Sequence, residues 1–171
     1  MLKTGIVDDP ILPGKILADF PSQEDGACLL FLGVVRNHNL GREVSGLEYQ
    51  AYRAMAEKTL TEIGTEASRR FGTDRITVLH RIGTLRVGEV STAIAVATPH
   101  RAEGYEASRY IIEELKKRLP VWKRERYVAG EAAWLGESGP GPLEGESAWE
   151  GEGGTGPAPS PAVGGGGGED G

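Results

Sequence analysis

The chain has little of what most catalytic and metal-binding proteins are built from. Among 171 residues there is one cysteine, Cys28. A disulfide framework and a thiolate metal cluster are therefore excluded within the chain, which fits a reducing, cytoplasmic location. The three histidines, His38, His80 and His100, lie far apart in sequence, so a metal centre has little support. There is no phosphate loop, no GxGxxG, no nucleophile elbow, no HExxH and no CxxC. No run approaches a membrane-spanning length, and "MLKTGIVDDPILPG" has no apolar leader core. From Gly136 to Gly171 there is no Lys or Arg, against seven acids and 14 of the 26 glycines. A segment so poor in bulky apolar residues cannot offset its ordering entropy, so residues 136–171 are expected to be a disordered tail. The remaining chain carries 19 Lys and Arg against 18 acids, so the overall net charge of −6 belongs to the tail.

What is present divides into short strands and two long helical patterns. "GACLLFLGVV" predicts a buried central strand over 27–35, with Cys28 a buried structural thiol. Strands are also expected near 5–7, 44–50, 76–82 and 90–97, and a short helix near 15–20. "RNHNLGREV" reads as a loop and "GTLRVGE" as a tight connection. Apolar residues at 56, 60, 63, 67 and 71 predict a helix over 51–70, with Gly72 as its stop. A second helix over 102–118 would bury Tyr105, Ser108, Ile112, Leu115 and Leu119. Residues 121–128 and 132–135 read as a closing hairpin. Strands that follow one another directly imply an α+β fold with a mixed or antiparallel sheet.

Four pieces carry polar groups where a plain core needs none. Arg36, in "GVVRNHN", stands where a strand gives way to a loop, as a binding group or as a solvated loop arginine. His100 and Arg101, in "TPHRAEGYE", fall at the start of the second helix. Free N–H groups there favour an anion, though a capping or surface role fits equally. For His80 and Arg81, in "HRIGTLRVGE", a fold or interface role is expected. In "ELKKRLPVWKRE", Pro120 ends the helix, so Lys116 and Lys123 bracket an apolar corner. Spacing alone also allows two lysines whose stems merely cover that corner. The cationic set of Arg36, His38, His100, Arg101, Lys116, Lys117, Lys123 and Arg124 suits a phosphorylated small molecule. A near-neutral body without an aromatic-interleaved basic stripe argues against nucleic acid and leaves it a remote reading.

Taken in order, "GACLLFLGVVRNHNLGREVSGLEYQAYRAMAEK", "HRIGTLRVGEVSTAIAVATPHRAEGYEASRYIIEELKKRLPVWKRE" and "YVAGEAAW" resemble the MoaE family, the large catalytic subunits of molybdopterin synthase. The resemblance covers roughly residues 5 to 135 and implies a catalytic domain over 1–135, with the tail 136–171 having no counterpart. It implies an α/β hammerhead-like domain with added antiparallel strands and two main helices. The implied activity is conversion of cyclic pyranopterin monophosphate to molybdopterin. The sulfur would be delivered as a thiocarboxylate by a small ubiquitin-like partner subunit, and the large subunits would form a homodimer within a heterotetramer. No cofactor, metal, nucleic acid or membrane partner is implied. The matched positions put catalytic roles on Lys116 and Lys123, and substrate binding on Val34, Val35, Arg36, His100, Arg101, Arg124 and Glu125, with His100 a candidate proton donor. A lysine moving protons would need its pKa lowered by desolvation or neighbouring cations. The resemblance leaves open whether one position is supplied by the second subunit. Gly104 stands where the family has a small or apolar residue. A non-catalytic module that docks a ubiquitin-like tail or a phosphorylated small molecule is the alternative.

Overall fold

The structure is a computed structural model that describes residues 1–18, 20–129 and, as backbone only, 133–135. The expected tail over 136–171 lies outside the described residues. The elements are β1 (Leu2–Val7), α1 (Pro13–Leu17), β2 (Ala27–Val34), β3 (His38–Asn39), β4 (Arg42–Ala51), α2 (Arg53–Phe71), β5 (Ile76–Arg81), β6 (Gly83–Arg86), β7 (Val90–Thr98), α3 (Arg101–Arg118), β8 (Val121–Tyr127) and β9 (Ala133–Leu135).

Two sheets result. The first has the order β1-β5-β7-β2, with β1 parallel to β5 and the other pairs antiparallel. Helices α2 and α3 cover one face. Their small and aliphatic residues Ala56, Leu60, Ile63, Ala67, Ala107 and Ile111 close on Ile76, Val78, Ile94 and Val96 of the sheet. The second sheet runs β3-β4-β8-β9, with β6 paired to β4. The fold is thus α+β with mixed and antiparallel sheets and two main helices, as the sequence predicts. α2 ends as expected on Gly72, whose φ of 66° lies in the left-handed region that a glycine occupies without strain.

Three expectations change. β2 is not central: it forms one edge of the first sheet, and Cys28, Phe31 and Val34 are exposed. Cys28 is therefore an exposed thiol, not a buried one. Its pKa is raised, first by partial burial and then by the negative charge of Asp25. The buried face of α3 is Gly104, Ala107, Ile111 and Leu115, one step from the predicted stripe, and Tyr105 is 66% exposed. The reason is close approach: a Cβ on Gly104 would sit 2.5 Å from Leu29 Cδ1 and 2.9 Å from Thr98 Oγ1. Only a very small residue fits where the first turn of this helix lies on β2, while Ile111 and Leu115 fill the wider space further along. Finally, the connections hold strands. The loop after Arg36 makes the β3–β4 hairpin, turned by Leu40 and Gly41 at φ of 47° and 76°. "GTLR" is β6, hydrogen-bonded to β4.

Candidate functional site

A cavity of about 440 Å³ opens where the C-terminal end of α3 meets the ends of both sheets. Its floor is apolar: Phe31 from β2, Leu47 from β4, and Ile112, Leu115 and Leu119 from α3 and its cap. Its polar groups are Arg36, His38, Tyr49, His80, Ser91, Thr92, Lys116, Lys123 and Glu125.

The apolar corner bracketed by lysines builds one wall. α3 stops at Arg118, and the Leu119 N–H donates to the Leu115 carbonyl at 3.0 Å. Pro120 continues no helix, and the Val121 N–H donates back to the Leu119 carbonyl at 2.8 Å, so the chain reverses within three residues. β8 then alternates: Val121, Lys123 and Glu125 line the cavity, whereas Trp122 and Arg124 do not. Leu119 packs against the main core, while Trp122 is half-buried on the far side of the strand. Lys116 and Lys123 thus face one space, while Lys117 points away and bonds Glu114 at 2.9 Å.

Lys123 is held by chemistry as well as by strand register. Its Nζ lies 3.6 Å from Oε1 of Glu125, a carboxylate only 3% exposed. Oε2 of Glu125 accepts from Asn39 Nδ2 at 3.0 Å and from the Tyr127 hydroxyl at 2.8 Å. Arg36 and Lys116 have no such ion pair among the described residues and remain available to a ligand anion. Arg36 emerges from a tightly held stretch. β2 has a register break between Gly33 and Val34, and Val35 is buried in the small core of the second sheet. The Val35 N–H donates to the Glu89 carbonyl at 3.0 Å, and Gly88 N–H donates to the Val35 carbonyl at 2.9 Å. Val34 lines the cavity; Val35 anchors the strand behind it.

Not every sequence candidate arrives here. His100 occupies the N-cap position of α3 without a side-chain capping bond and Arg101 begins that helix, while Lys116 is near its other end. At 1.5 Å per residue the separation along the axis is about 22 Å, so one chain does not bring them into the cavity with the lysines. Both are exposed. The cationic group at the cavity is therefore Arg36, Lys116 and Lys123, with His38 at its rim bonded to Asn37 Oδ1 at 2.8 Å. Arg81 fits the expected fold role: its Nε donates to the Asp8 carbonyl at 3.2 Å and its Nη1 lies 3.4 Å from Glu89. His80 does not follow it. It lines the cavity, and burial pushes its pKa down to about 4. Tyr49, edge-on to His80 with ring centroids 5.1 Å apart, also lines the cavity, and burial raises its phenol pKa. The sequence singles out His80 but with a fold or interface role, and it gives no sign of Tyr49, since one tyrosine in an alternating strand carries no local signal.

Among the described residues no group of three or more His, Cys, Asp or Glu side chains is arranged to hold a metal ion, and no helix is long and apolar enough to cross a membrane. The profile of the MoaE protein family matches residues 6–118. The molybdopterin synthase catalytic subunit of Halalkalibacterium halodurans is 42% identical over 132 residues, which is 77% of this chain and 84% of the relative. That of Escherichia coli is 42% identical over 135 residues, 77% of this chain and 89% of the relative. The crystal structure of molybdopterin synthase from Staphylococcus aureus superposes with a TM-score of 0.73 at 36% identity, over 78% of this chain and 96% of that one. With a matched profile that spans most of the chain and relatives this similar over most of their length, the chain belongs to the MoaE protein family.

Proposed function

We propose that the protein is the catalytic, large subunit of a molybdopterin synthase, a sulfurtransferase of molybdenum cofactor biosynthesis that works in the cytoplasm. It converts cyclic pyranopterin monophosphate to molybdopterin with sulfur from a thiocarboxylated small subunit. The observation that carries the reading at the level of chemistry is the convergence of Arg36, Lys116 and Lys123 on one partly apolar cavity. An anionic phosphate and an anionic thiocarboxylate both need cations, and the apolar floor suits a flat heterocycle. Each transfer replaces a carbon–oxygen bond of the substrate by a carbon–sulfur bond. The donor's carbonyl carbon takes oxygen for sulfur and leaves as carboxylate, so no oxidant or reductant is required. Lys116 and Lys123 hold the two anions and move protons between them. Val34, Arg36 and Glu125 shape the binding wall, with Val35 and Arg124 supporting it from behind.

His100 and Arg101 act on the site of a second copy, with His100 the candidate proton donor. Two features support this. The outer edge of β2 is unpaired among the described residues, and beside it α3 leaves Tyr105 exposed and Ile112 half-buried. β2 runs from Ala27, paired with Thr98 next to His100, to Val34 at the cavity. Antiparallel contact of two β2 edges sets the first end of one copy against the second end of the other. The body over 1–135 suffices for the reaction, and 136–171 are dispensable.

The test is to mix the purified protein with the cyclic precursor and a thiocarboxylated small subunit, then assay for molybdopterin. Product that depends on all three is expected. Tail docking without product would return the chain to a binding role.

A further inference from the structure

We propose that His80 is a ligand-contacting residue of the cavity, a neutral hydrogen-bond acceptor for an N–H or O–H donor on the heterocycle that Arg36, Lys116 and Lys123 hold by its anionic group. This deepens the functional reading above and rests on it.

The argument begins with the ring's two nitrogens. Nδ1 lies 2.9 Å from the Arg81 carbonyl oxygen, which only accepts, so Nδ1 carries the hydrogen. In a neutral ring the other nitrogen, Nε2, then presents a lone pair. It has no hydrogen-bond partner among the described residues, yet it is not sealed off, and the side chain stands on the cavity wall. Burial keeps the ring neutral at physiological pH, because a charged ring would lose its hydration there. The groups facing it are the Tyr49 ring, edge-on, and Thr92, its cross-strand neighbour on β7.

The charged groups of the cavity are mostly donors, and its other neutral acceptors are the hydroxyls of Tyr49, Ser91 and Thr92. Arg36, Lys116 and Lys123 only donate. The hydroxyl of Ser91 spends its hydrogen on the Gly33 carbonyl at 3.1 Å and keeps its lone pairs, so it too is a neutral acceptor on the wall. Glu125 is the one carboxylate on the wall, and Asn39, Tyr127 and Lys123 already engage its oxygens. A ligand bound only through the donors would leave any ring N–H facing the sheet unpaired. His80 satisfies that donor and so selects a heterocycle that has one over an anion of the same size that lacks it.

Two substitutions separate this role from a structural one. His80→Asn keeps a donor where Nδ1 meets the Arg81 carbonyl and removes the Nε2 acceptor. His80→Gln sacrifices the Arg81 bond and returns an acceptor oxygen near the Nε2 position. Affinity for cyclic pyranopterin monophosphate is measured by calorimetry on the full-length chain, with thermal melts alongside. The expected result is weakening of about tenfold or more for His80→Asn and much less for His80→Gln, since a buried donor left unpaired is the costly case. Wild-type affinity in His80→Asn, or equal weakening in both variants, overturns the proposal. Should His80→Asn fail to fold, the wild type still decides. With three histidines in the chain, the Nε2 resonance of His80 can be followed after nitrogen-15 histidine labelling. It shifts on adding precursor if it accepts a hydrogen bond, and an unmoved resonance overturns the assignment. If the unaltered protein binds no precursor at all, the functional reading itself fails and this inference with it, an outcome distinct from a silent histidine in a protein that binds.

Discussion

Twelve buried apolar residues, from Ile6 to Leu115, close the space between the first sheet and its two helices, whereas four, Val35, Val44, Leu47 and Leu85, do so around the second sheet. The charge runs the other way. Lys123, Arg124, Glu125 and Arg126 are consecutive on β8, and a buried glutamate sits among them. The large core fixes where α3 ends, because Ile111 and Leu115 anchor the last turns against the sheet. The small core only has to hold the second sheet so that its charged residues meet that end. Stability and chemistry thus reside in different regions joined at Pro120.

Single substitutions can break that division, and the largest effect is expected at the cavity. Lys116→Ala and Lys123→Ala should each cut single-turnover molybdopterin formation by ~10²–10⁴-fold, the usual cost of a positioned proton-transfer group. Thermal melts should change little, since Glu125 retains its bonds from Asn39 and Tyr127. A rate near normal in both variants would place the chemistry elsewhere. Mixing Lys123→Ala protein with Arg101→Ala protein sharpens the point. If a second copy completes the site, mixed dimers regain activity that neither variant has alone.

On the other side of the comparison, Leu60→Ala should destabilise by about 2–5 kcal/mol, as a fully buried leucine leaves a cavity behind. Urea unfolding measures this, and the surviving folded fraction should turn over normally. A loss of specific activity in the folded fraction would mean that the core tunes the site and does not merely carry it.

His80 belongs to both regions and offers a pH test. Its folded pKa, about 4, lies below the ordinary 6.5 because burial opposes the charged ring. As pH falls through 6.5 the unfolded chain takes up a proton that the folded chain refuses until about pH 4, so stability is lost over that window. Between pH 7 and pH 5 the contribution is about 2 kcal/mol. Urea titrations of wild type and His80→Gln at both pH values should show the wild type falling further by that amount. Equal falls would show an imidazole that titrates normally.

The smallest effects are expected at the surface. Arg118 binds Glu66 at 2.6 Å and holds that carboxyl below its usual pKa, but both side chains are about a third or more exposed. Arg118→Ala should cost no more than about 1 kcal/mol. Cutting the chain after Leu135 or Gly136 should leave melting temperature and turnover nearly unchanged. A drop of more than a few degrees would show that residues 136–171 contribute to the folded body.

Much of this was legible in the sequence where one residue type has one meaning. The period of α2, its stop at Gly72, and the proline corner with its flanking lysines all read directly. The errors arise where sequence gives composition and structure gives contact. An apolar run such as Ala27–Val34 reads as buried on both faces, yet this one is an edge strand with Cys28, Phe31 and Val34 exposed. For α3, Leu115 is buried as the period predicts, but the rest of the buried side is Gly104, Ala107 and Ile111, and the larger Tyr105 and Ile112 flank it. His100, Arg101 and Lys116 look like one cationic set until the length of the helix between them is drawn.

The close seat of Gly104 on Leu29 has a consequence for how the chain can drift. No side chain larger than hydrogen fits at 104 while Leu29 keeps its rotamer and Thr98 Oγ1 holds the His100 carbonyl at 2.8 Å. A mutation to alanine there would press on the strand edge and on the turn that presents His100. Growth at 104 is accommodated by position 29 shrinking or by Leu29 turning to another rotamer. Across descendants of this sequence a larger residue at 104 should therefore come with a smaller one at 29 or with Leu29 in another rotamer, or else be felt in the placement of His100, some 20 Å along the helix from the lysines.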